Sequence, residues 1–293
     1  MVDEGVVVGV DGAEPSLAAL RWAATTAALR GAPLRVLLAY HWRLPAALAP
    51  RGGPAETARR LADMFVADVA GEARAAAPGV DVRAEAVPGH PADVLLRAAA
   101  GADLLVVGTR GRHRAACAML GSVSQQVAMH SACPVAVVRG RPDPDGGVLV
   151  GVDDSASAAV ALRLAFAEAG RRGADLVAVR AIETPLAPPA LGLPPLLYDV
   201  AEAGRVMSAE AATRVGEEAR RHPGVRWEFH GVAGDAGEML CERSARARLV
   251  VVGSRGHGGV AGLLLGSVGL RLLQHSDCPV LVTHAATGPG AEP

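Results

Sequence analysis

Short, uninterrupted apolar runs alternate with longer stretches in which apolar and polar residues are mixed. In the first half the apolar runs predict strands at 6–10, 34–39, 80–87, 104–107 and 135–138. The stretches between them predict helices from Pro15 to about Gly31 and at 55–77, 91–100 and 122–130. The second half gives the same series. Strands without polar interruption, each followed by a helix, predict an α/β fold with a parallel sheet covered by helices on both faces.

The chain also repeats itself. The run Val6–Val10 with Asp11 recurs as 148–153, an offset of 142, and the segment 130–135 recurs as 275–280, an offset of 145. The change of offset falls in the middle of each half, as expected for a loop insertion. A repeat this long predicts two duplicated domains. We place them at 1–140 and 148–285, with a Pro/Gly/Asp-rich linker at 141–147 and a flexible tail at 286–293.

Composition narrows the class of protein. Aromatic residues make up only 3% of the chain and apolar residues 51%, so alanine, valine and leucine must form both cores. The net charge is −1 without a basic stripe, which argues against a nucleic-acid-binding protein. No lysine occurs, which excludes a Walker A phosphate site. Because no basic leader and no long apolar segment is present, we expect a cytoplasmic protein without a membrane partner.

A glycine pattern occurs once in each half, directly after the fourth predicted strand. Gly108 and Gly111 precede Gly121-Ser122, and Gly253 and Gly256 precede Gly266-Ser267, with identical spacing. We expect Gly108 and Gly111 to adopt positive φ and to let the backbone approach a ligand. The Gly-Ser pair opens a helix whose N-terminus is an anion site suited to phosphates. Arginines supply positive charge in place of lysine: Arg110 and Arg255, or Arg112 and Arg114.

An aspartate follows the first strand of each half. Asp11 and Asp153 are interpreted as acceptors for a ribose or as ligands for a metal beside the phosphates. The neighbouring Asp154 is interpreted as a turn or helix-start residue. The two His-x-x-Cys pairs, at 130–133 and 275–278, are interpreted as structural because no further metal ligands accompany them. No metal site is therefore predicted.

These motifs resemble the universal stress protein family, in particular its ATP-binding subclass, in a tandem arrangement. The resemblance rests on Gly9-Val10-Asp11-Gly12, on the glycine pattern with its helix start, on Cys133-Pro134-Val135, and on the second-half counterparts of all three. It implies Rossmann-like domains, each a five-stranded parallel sheet in the order 3-2-1-4-5. It further implies that the fifth strands, 135–138 and 279–283, pair with each other. In that order the first and fourth strands are neighbours, so Asp11 and the Gly108 loop would face one cleft.

The resemblance also assigns ATP-binding residues by position. In the first half Ala39 and Tyr40 would lie against the adenine, and the remaining positions would frame the adenosine and wrap the ribose and phosphates: Gly9, Val10, Asp11, Gly108, Arg110, Gly111, Gly121, Ser122, Val123 and Ser124. The second site would use Gly151, Val152, Asp153, Arg180, Ala181, Gly253, Arg255, Gly256, Gly266, Ser267 and Val268. The family usually has a hydroxyl residue where this chain has Gly269. For that reason, and because the first loop is more basic, we expect the first site to bind more tightly.

Three functional classes remain open from the sequence. The resemblance favours a nucleotide-dependent regulator or sensor in stress adaptation, which binds ATP stoichiometrically and hydrolyses it slowly at most. Magnesium is neither required nor excluded. An ATP pyrophosphatase or adenylyl transferase is the second class, but the turn at 12–16 lacks the Ser/Gly-rich loop of those enzymes. A scaffold with vestigial loops is the third. The implied partners are the nucleotide, the other domain of the same chain and an unknown protein, and a homodimer is compatible with the sequence.

Overall fold

A computed structural model describes residues 5–40, 54–109, 120–141, 145–182, 200–256 and 265–284. The chain divides into two compact units. One comprises Met1–Gly140 with Pro279–Val282, and the other comprises Arg141–Cys278 with Thr283–Pro293. Among the described residues, no helix combines the length and apolar character needed to cross a bilayer.

Strands and helices alternate throughout both units. The first half contains β1 (Val6–Val10), α1 (Glu14–Arg30), β2 (Leu34–Tyr40), α2 (Pro54–Ala76), β3 (Val82–Pro88), α3 (Pro91–Ala99), β4 (Leu104–Gly108), α4 (Ser122–His130) and β5 (Val135–Val138). The second half contains β6 (Gly147–Gly151), α5 (Ala156–Arg172), β7 (Leu176–Ile182), α6 (Val200–Ala219), β8 (Trp227–Ala233), α7 (Ala236–Ser244), β9 (Ala247–Gly253), α8 (Ser267–His275) and β10 (Val280–Thr283).

The strand order of the first unit is β3-β2-β1-β4-β5, with parallel neighbours throughout. This confirms the expected order 3-2-1-4-5. The residues of β10 that belong to this unit pair antiparallel with β5, with Val280 opposite Val137, which agrees with the expected pairing of the two fifth strands.

The second unit repeats the arrangement. Its parallel strands follow the order β8-β7-β6-β9. Next to β9, the backbone N–H of Ser254 donates a hydrogen bond of 2.7 Å to the carbonyl of Thr283, the last residue of β10.

Small side chains allow the helices to lie close to the sheets. In α1 the alanines at 19, 23, 24 and 27 are fully buried, and this helix packs on β1 and β4. Gly31 then ends α1 in the left-handed conformation, with φ of 61°, which glycine adopts without a steric penalty. Because β1 and β4 are parallel neighbours, both end at the same edge of the sheet, where Asp11 and the Gly108 loop begin.

Candidate functional site

A cavity of about 520 Å³ opens at the carboxyl edge of the second unit. Strands β6, β7 and β9 and the start of α8 form its wall. All second-half residues that the sequence assigns to a nucleotide line it: Gly151, Val152, Asp153, Arg180, Ala181, Gly253, Arg255, Gly256, Gly266, Ser267 and Val268. Residues separated by about a hundred positions in the sequence are therefore brought together on one concave surface.

The N-terminus of α8 faces this cavity without a side-chain cap. Gly266 is the N-cap residue, and its own N–H donates to the Ser254 carbonyl at 2.7 Å. The following N–H groups have no acceptor within the helix, as in the first turn of any α-helix. Ser267 and Val268 line the cavity at this point. The arrangement presents partial positive charge and hydrogen-bond donors to an anion.

Gly108 and Gly253 are the last residues of β4 and β9, and the structure gives a different reason for glycine there from the one expected at Gly108. Neither Gly108 nor Gly253 has a positive φ, so the expected conformation is wrong at Gly108; Gly111 lies outside the described residues. Close packing of the start of α1 against Gly108, and of the start of α5 against Gly253, explains these glycines instead. A Cβ on Gly108 would lie 2.5 Å from the Pro15 carbonyl oxygen, and one on Gly253 would lie 2.5 Å from Ser157 Oγ and 2.8 Å from its carbonyl carbon.

Asp153 holds the turn that leads into α5 and lies beside Gly256. Its Oδ1 accepts hydrogen bonds from the Ser155 backbone N–H (2.9 Å) and hydroxyl (2.5 Å). A Cβ on Gly256 would lie 2.8 Å from Asp153 Oδ2, so any other residue there would require this carboxylate to shift. In the first unit Asp11 makes the matching turn, and its Oδ1 accepts from the Ala13 N–H at 3.0 Å.

Two serines fasten the loop after β9 to the start of α5. Ser157 Oγ donates to the Arg255 carbonyl, and Ser155 Oγ lies 3.1 Å from the same oxygen. Ser155 also caps α5 by accepting from the Ala158 N–H. This contact was not predicted from the sequence. A signal for it exists, because the segment 153–157 contains Ser155 and Ser157, whereas the matching segment 11–15 has Ala13 and Pro15 at those positions.

Two residues of the cavity wall, Asp154 and Arg180, belong to an ion-pair cluster. Arg180 binds both carboxylate oxygens of Asp154, at 3.0 and 2.6 Å, and Arg214 also donates to Asp154 Oδ1. Hydrogen bonds from Arg180 and then Arg214 hold the pKa of Asp154 well below its usual value. The hydrogen bond to Asp154 raises the pKa of Arg180, although burial opposes this. Asp154 is thus a charged anchor rather than only a turn residue.

The strand registers give the correspondence between the two halves at this position. Gly9 pairs with Leu37 in the first unit, and the matching Gly151 pairs with Val179 in the second. Arg180 therefore matches Leu38, and Ala181 matches Ala39.

In the first unit, several predicted residues gather at the ends of β1, β2 and β4. Gly9, Val10 and Asp11 lie between the β2 end, with Ala39 and Tyr40, and the β4 end, with Gly108. Gly121 is the N-cap of α4, has no side-chain cap and donates to the Thr109 carbonyl at 2.8 Å; Ser122, Val123 and Ser124 form the first turn. Arg110 and Gly111 lie outside the described residues, as do Arg112 and Arg114.

Ser124 does not present its hydroxyl to a ligand in this structure. The side chain is buried and Oγ donates a hydrogen bond of 2.6 Å to the Gly108 carbonyl. In the second unit a Cβ on Gly269 would lie 2.9 Å from Leu265 Cδ1, so a leucine fills the space next to this glycine. Ser124 and Gly269 occupy matching positions, and the two halves therefore differ in side-chain packing there.

Among the described residues, Cys133, Cys241 and Cys278 are not joined in disulfides. Burial raises the pKa of the Cys133 thiol. His130 is exposed while Cys133 is buried, so the two members of this His-x-x-Cys pair occupy different environments. Across the described ranges, no three His, Cys, Asp or Glu side chains lie close enough together to hold a metal ion.

Comparisons with known proteins agree with this architecture. The model of the universal stress protein family matches residues 4–139 and 147–284. A universal stress protein of Mycolicibacterium smegmatis is 36% identical over 295 residues, covering 95% of this chain and 96% of that protein. One from Mycobacterium tuberculosis is 36% identical over 292 residues, with the same coverage.

A solved structure supports the fold. The crystal structure of a universal stress protein from Archaeoglobus fulgidus has a TM-score of 0.69 and 21% identity, and the match covers 97% of this chain and 100% of that one. The predicted α/β, Rossmann-like fold in two tandem copies is confirmed. The chain belongs to the universal stress protein family, of which it carries two tandem domains.

Proposed function

We propose that this universal stress protein binds ATP in each half and acts as a nucleotide-dependent regulator in stress adaptation. The observation that carries the proposal is the cavity of the second unit, where an uncapped helix N-terminus, a glycine-lined backbone and Arg255 share one wall. These groups have the charge and the donors that a polyphosphate needs.

The dimensions of the cavity suit a nucleotide. Strands β7, β6 and β9 are successive neighbours in the sheet, and neighbouring strands lie about 4.8 Å apart. The end of β7 is therefore about 10 Å from the end of β9, where the helix N-terminus lies. This span leaves room for phosphates at α8, a ribose near Asp153 after β6, and a base at the end of β7.

The hydrogen bonds and the charge of the cavity carboxylates, Asp153 and Asp154, favour stoichiometric binding of ATP over its turnover. Asp153 accepts two hydrogen bonds on Oδ1 from Ser155. Asp154 is paired with two arginines, and its lowered pKa makes it a poor proton acceptor near neutral pH. A general base needs a pKa close to the working pH. We therefore expect ATP hydrolysis to be slow at most.

Calorimetric titration of nucleotide-free protein with ATP and magnesium tests the proposal. Ser122→Glu and Ser267→Glu each place a negative charge on an exposed first-turn position, where it favours the helix but repels a phosphate. We expect two sites in the unmodified chain, and the loss of one site in each variant. The matched control is Gln126→Glu, which adds the same charge further along α4, on an exposed position.

The nucleotide is then recovered by chromatography. Intact ATP supports a binding protein, whereas conversion to ADP or AMP faster than about one turnover per second would favour an enzyme. The absence of binding in the unmodified chain would contradict the proposal and leave the scaffold function. Unchanged binding in both glutamate variants would show that the nucleotide binds elsewhere.

A further inference from the structure

The wall at the end of β7 differs in charge between the two halves. In the second unit it carries Asp154 and Arg180, and Arg214 of α6 donates a hydrogen bond to Asp154. The positions that match Asp154 and Arg180 in the first unit are Gly12 and Leu38, both uncharged. Two domains with the same glycine pattern therefore offer a ligand two different surfaces at this position.

The cluster retains hydrogen-bonding capacity after its internal contacts are counted. Asp154 accepts from both terminal nitrogens of Arg180 and from Arg214, which is three donors for about four lone-pair positions. Oδ2 receives only one of them. The Arg180 side chain is 5% exposed and serves to orient the carboxylate, whereas the Arg214 side chain is 45% exposed and has further N–H groups. A carboxylate acceptor and guanidinium donors thus lie side by side.

These residues lie at the end of the cavity away from the helix N-terminus. Asp154 and Arg180 line the same cavity as Ser267, and β7 is separated from β9 by β6. A nucleotide with its phosphates at α8 would direct its base towards the cluster, because the distance of about 10 Å matches the length of the nucleoside.

We propose, on the basis of the ATP-binding function above, that Asp154 reads the polar edge of the base in the second half, with Arg180 as its positioning residue. The 6-amino group of adenine donates to Asp154, and a neighbouring ring nitrogen accepts from Arg214. Gly12 and Leu38 offer neither group, so at these described positions the first half has no charged contact for the base. An analogue that lacks the 6-amino group loses a hydrogen bond to a charged group in the second half, and such a loss discriminates more strongly than the loss of an apolar contact.

The probe is purine riboside triphosphate, which is ATP without the 6-amino group. Each half is titrated alone, with Ser122→Glu blocking the first and Ser267→Glu blocking the second. We expect the second half to bind the analogue at least tenfold more weakly than ATP, as for the loss of a hydrogen bond to a charged group. The first half should differ less than threefold between the two nucleotides.

The matched variant replaces the charged residues of the second-half wall with the residues found in the first half. Asp154→Gly combined with Arg180→Leu installs the first-half residues and removes both charges together, which avoids leaving one of them buried and unpaired. The second half should then bind ATP and the analogue with similar affinities. Asp154→Asn, which keeps the shape and a weaker acceptor, is the second variant in case the double variant does not fold, and it should reduce the preference for ATP.

The outcomes separate this inference from the proposed function. Equal affinities for both nucleotides in the unmodified second half would overturn the base-reading role while ATP binding stands. A preference for ATP that persists in the folded double variant, or that is undiminished in Asp154→Asn, would also overturn it. Failure of either half to bind ATP at all would overturn the proposed function and this inference with it.

Discussion

Replacement of Gly253 by alanine tests whether the glycine after β9 is required by packing or by a ligand. A Cβ at this position would lie 2.5 Å from Ser157 Oγ, 2.8 Å from the Ser157 carbonyl carbon and 2.9 Å from the Ala158 nitrogen. Two of these atoms belong to the backbone at the start of α5, so a change of rotamer cannot relieve the contacts. We expect Gly253→Ala to destabilise the protein even without nucleotide, because α5 must shift away from β9.

The size of the effect follows from the cost of overpacking, which is about 1–3 kcal/mol in well-packed interiors. Because two of the three contacts involve backbone atoms, we expect Gly253→Ala to cost about 3 kcal/mol, at the upper end of this range. For a unit of roughly 150 residues, an unfolding entropy of about 2 cal/mol/K per residue converts this into a decrease in Tm of about 10 °C. Thermal unfolding of nucleotide-free protein, followed by circular dichroism, measures the decrease.

Two glycine variants serve as controls. Gly71 lies within α2, and a Cβ there meets no atom within 4 Å; Gly71→Ala should raise the stability by up to about 1 kcal/mol through helix propensity. Gly224 has equally open surroundings outside a helix, and Gly224→Ala should change the stability by less than about 0.5 kcal/mol. If Gly253→Ala unfolds at the same temperature as the unmodified protein, steric exclusion is not the reason for this glycine, and approach to a ligand becomes the better explanation.

Three further predictions concern single side chains. Ser124→Ala should lower the free energy of unfolding by about 1–2 kcal/mol, since it removes a buried hydrogen bond, and should leave ATP affinity within about threefold in the titration; a large loss of affinity alone would restore the phosphate role. Asp154 has a lowered pKa in the folded state, so its contribution is complete at neutral pH and is lost as the pH falls below about 5; acid unfolding of Asp154→Asn should lack this part of the pH dependence, and identical profiles would refute the ion-pair assignment. Alkylation followed by mass spectrometry should modify the partly exposed Cys241 before the buried Cys133 and Cys278, and early modification of either buried thiol would contradict the packing.

The apolar runs predicted best the strands that are buried on both faces, such as β4 and β5, whereas β3 has exposed positions. The predicted α4 and β5 coincide with the observed ranges, and β1 does so as well. The third strand was predicted at 80–87 and is observed as Val82–Pro88. Its start is delayed because Gly79 turns the chain with φ of 94°, and the apolar Val80 belongs to that turn rather than to the ladder.

The candidate site was predictable only where its residues follow strand ends. Such positions converge at one edge of a parallel sheet, so spacing along the chain was enough to gather the lining of the second cavity. The contact of Asp154 with Arg214 joins residues that are 60 positions apart, through the orientation of α6, and no periodic pattern records it.

The two halves share their strand arrangement but differ in the hydrogen bonds that hold the candidate site. The expectation that the first site binds more tightly rested on the hydroxyl of Ser124 and on the more basic first loop. The Ser124 hydroxyl instead bonds to the Gly108 carbonyl, and Arg112 and Arg114 lie outside the described residues. In the second half, Ser155 and Ser157 fasten the loop after β9 through the Arg255 carbonyl, and the first half has no hydroxyl at the matching positions. A loop fixed before binding loses less conformational entropy when the ligand arrives, which raises affinity. On the described residues, preorganisation therefore favours the second half as the tighter site, and the single-half titrations decide between the two orders of affinity.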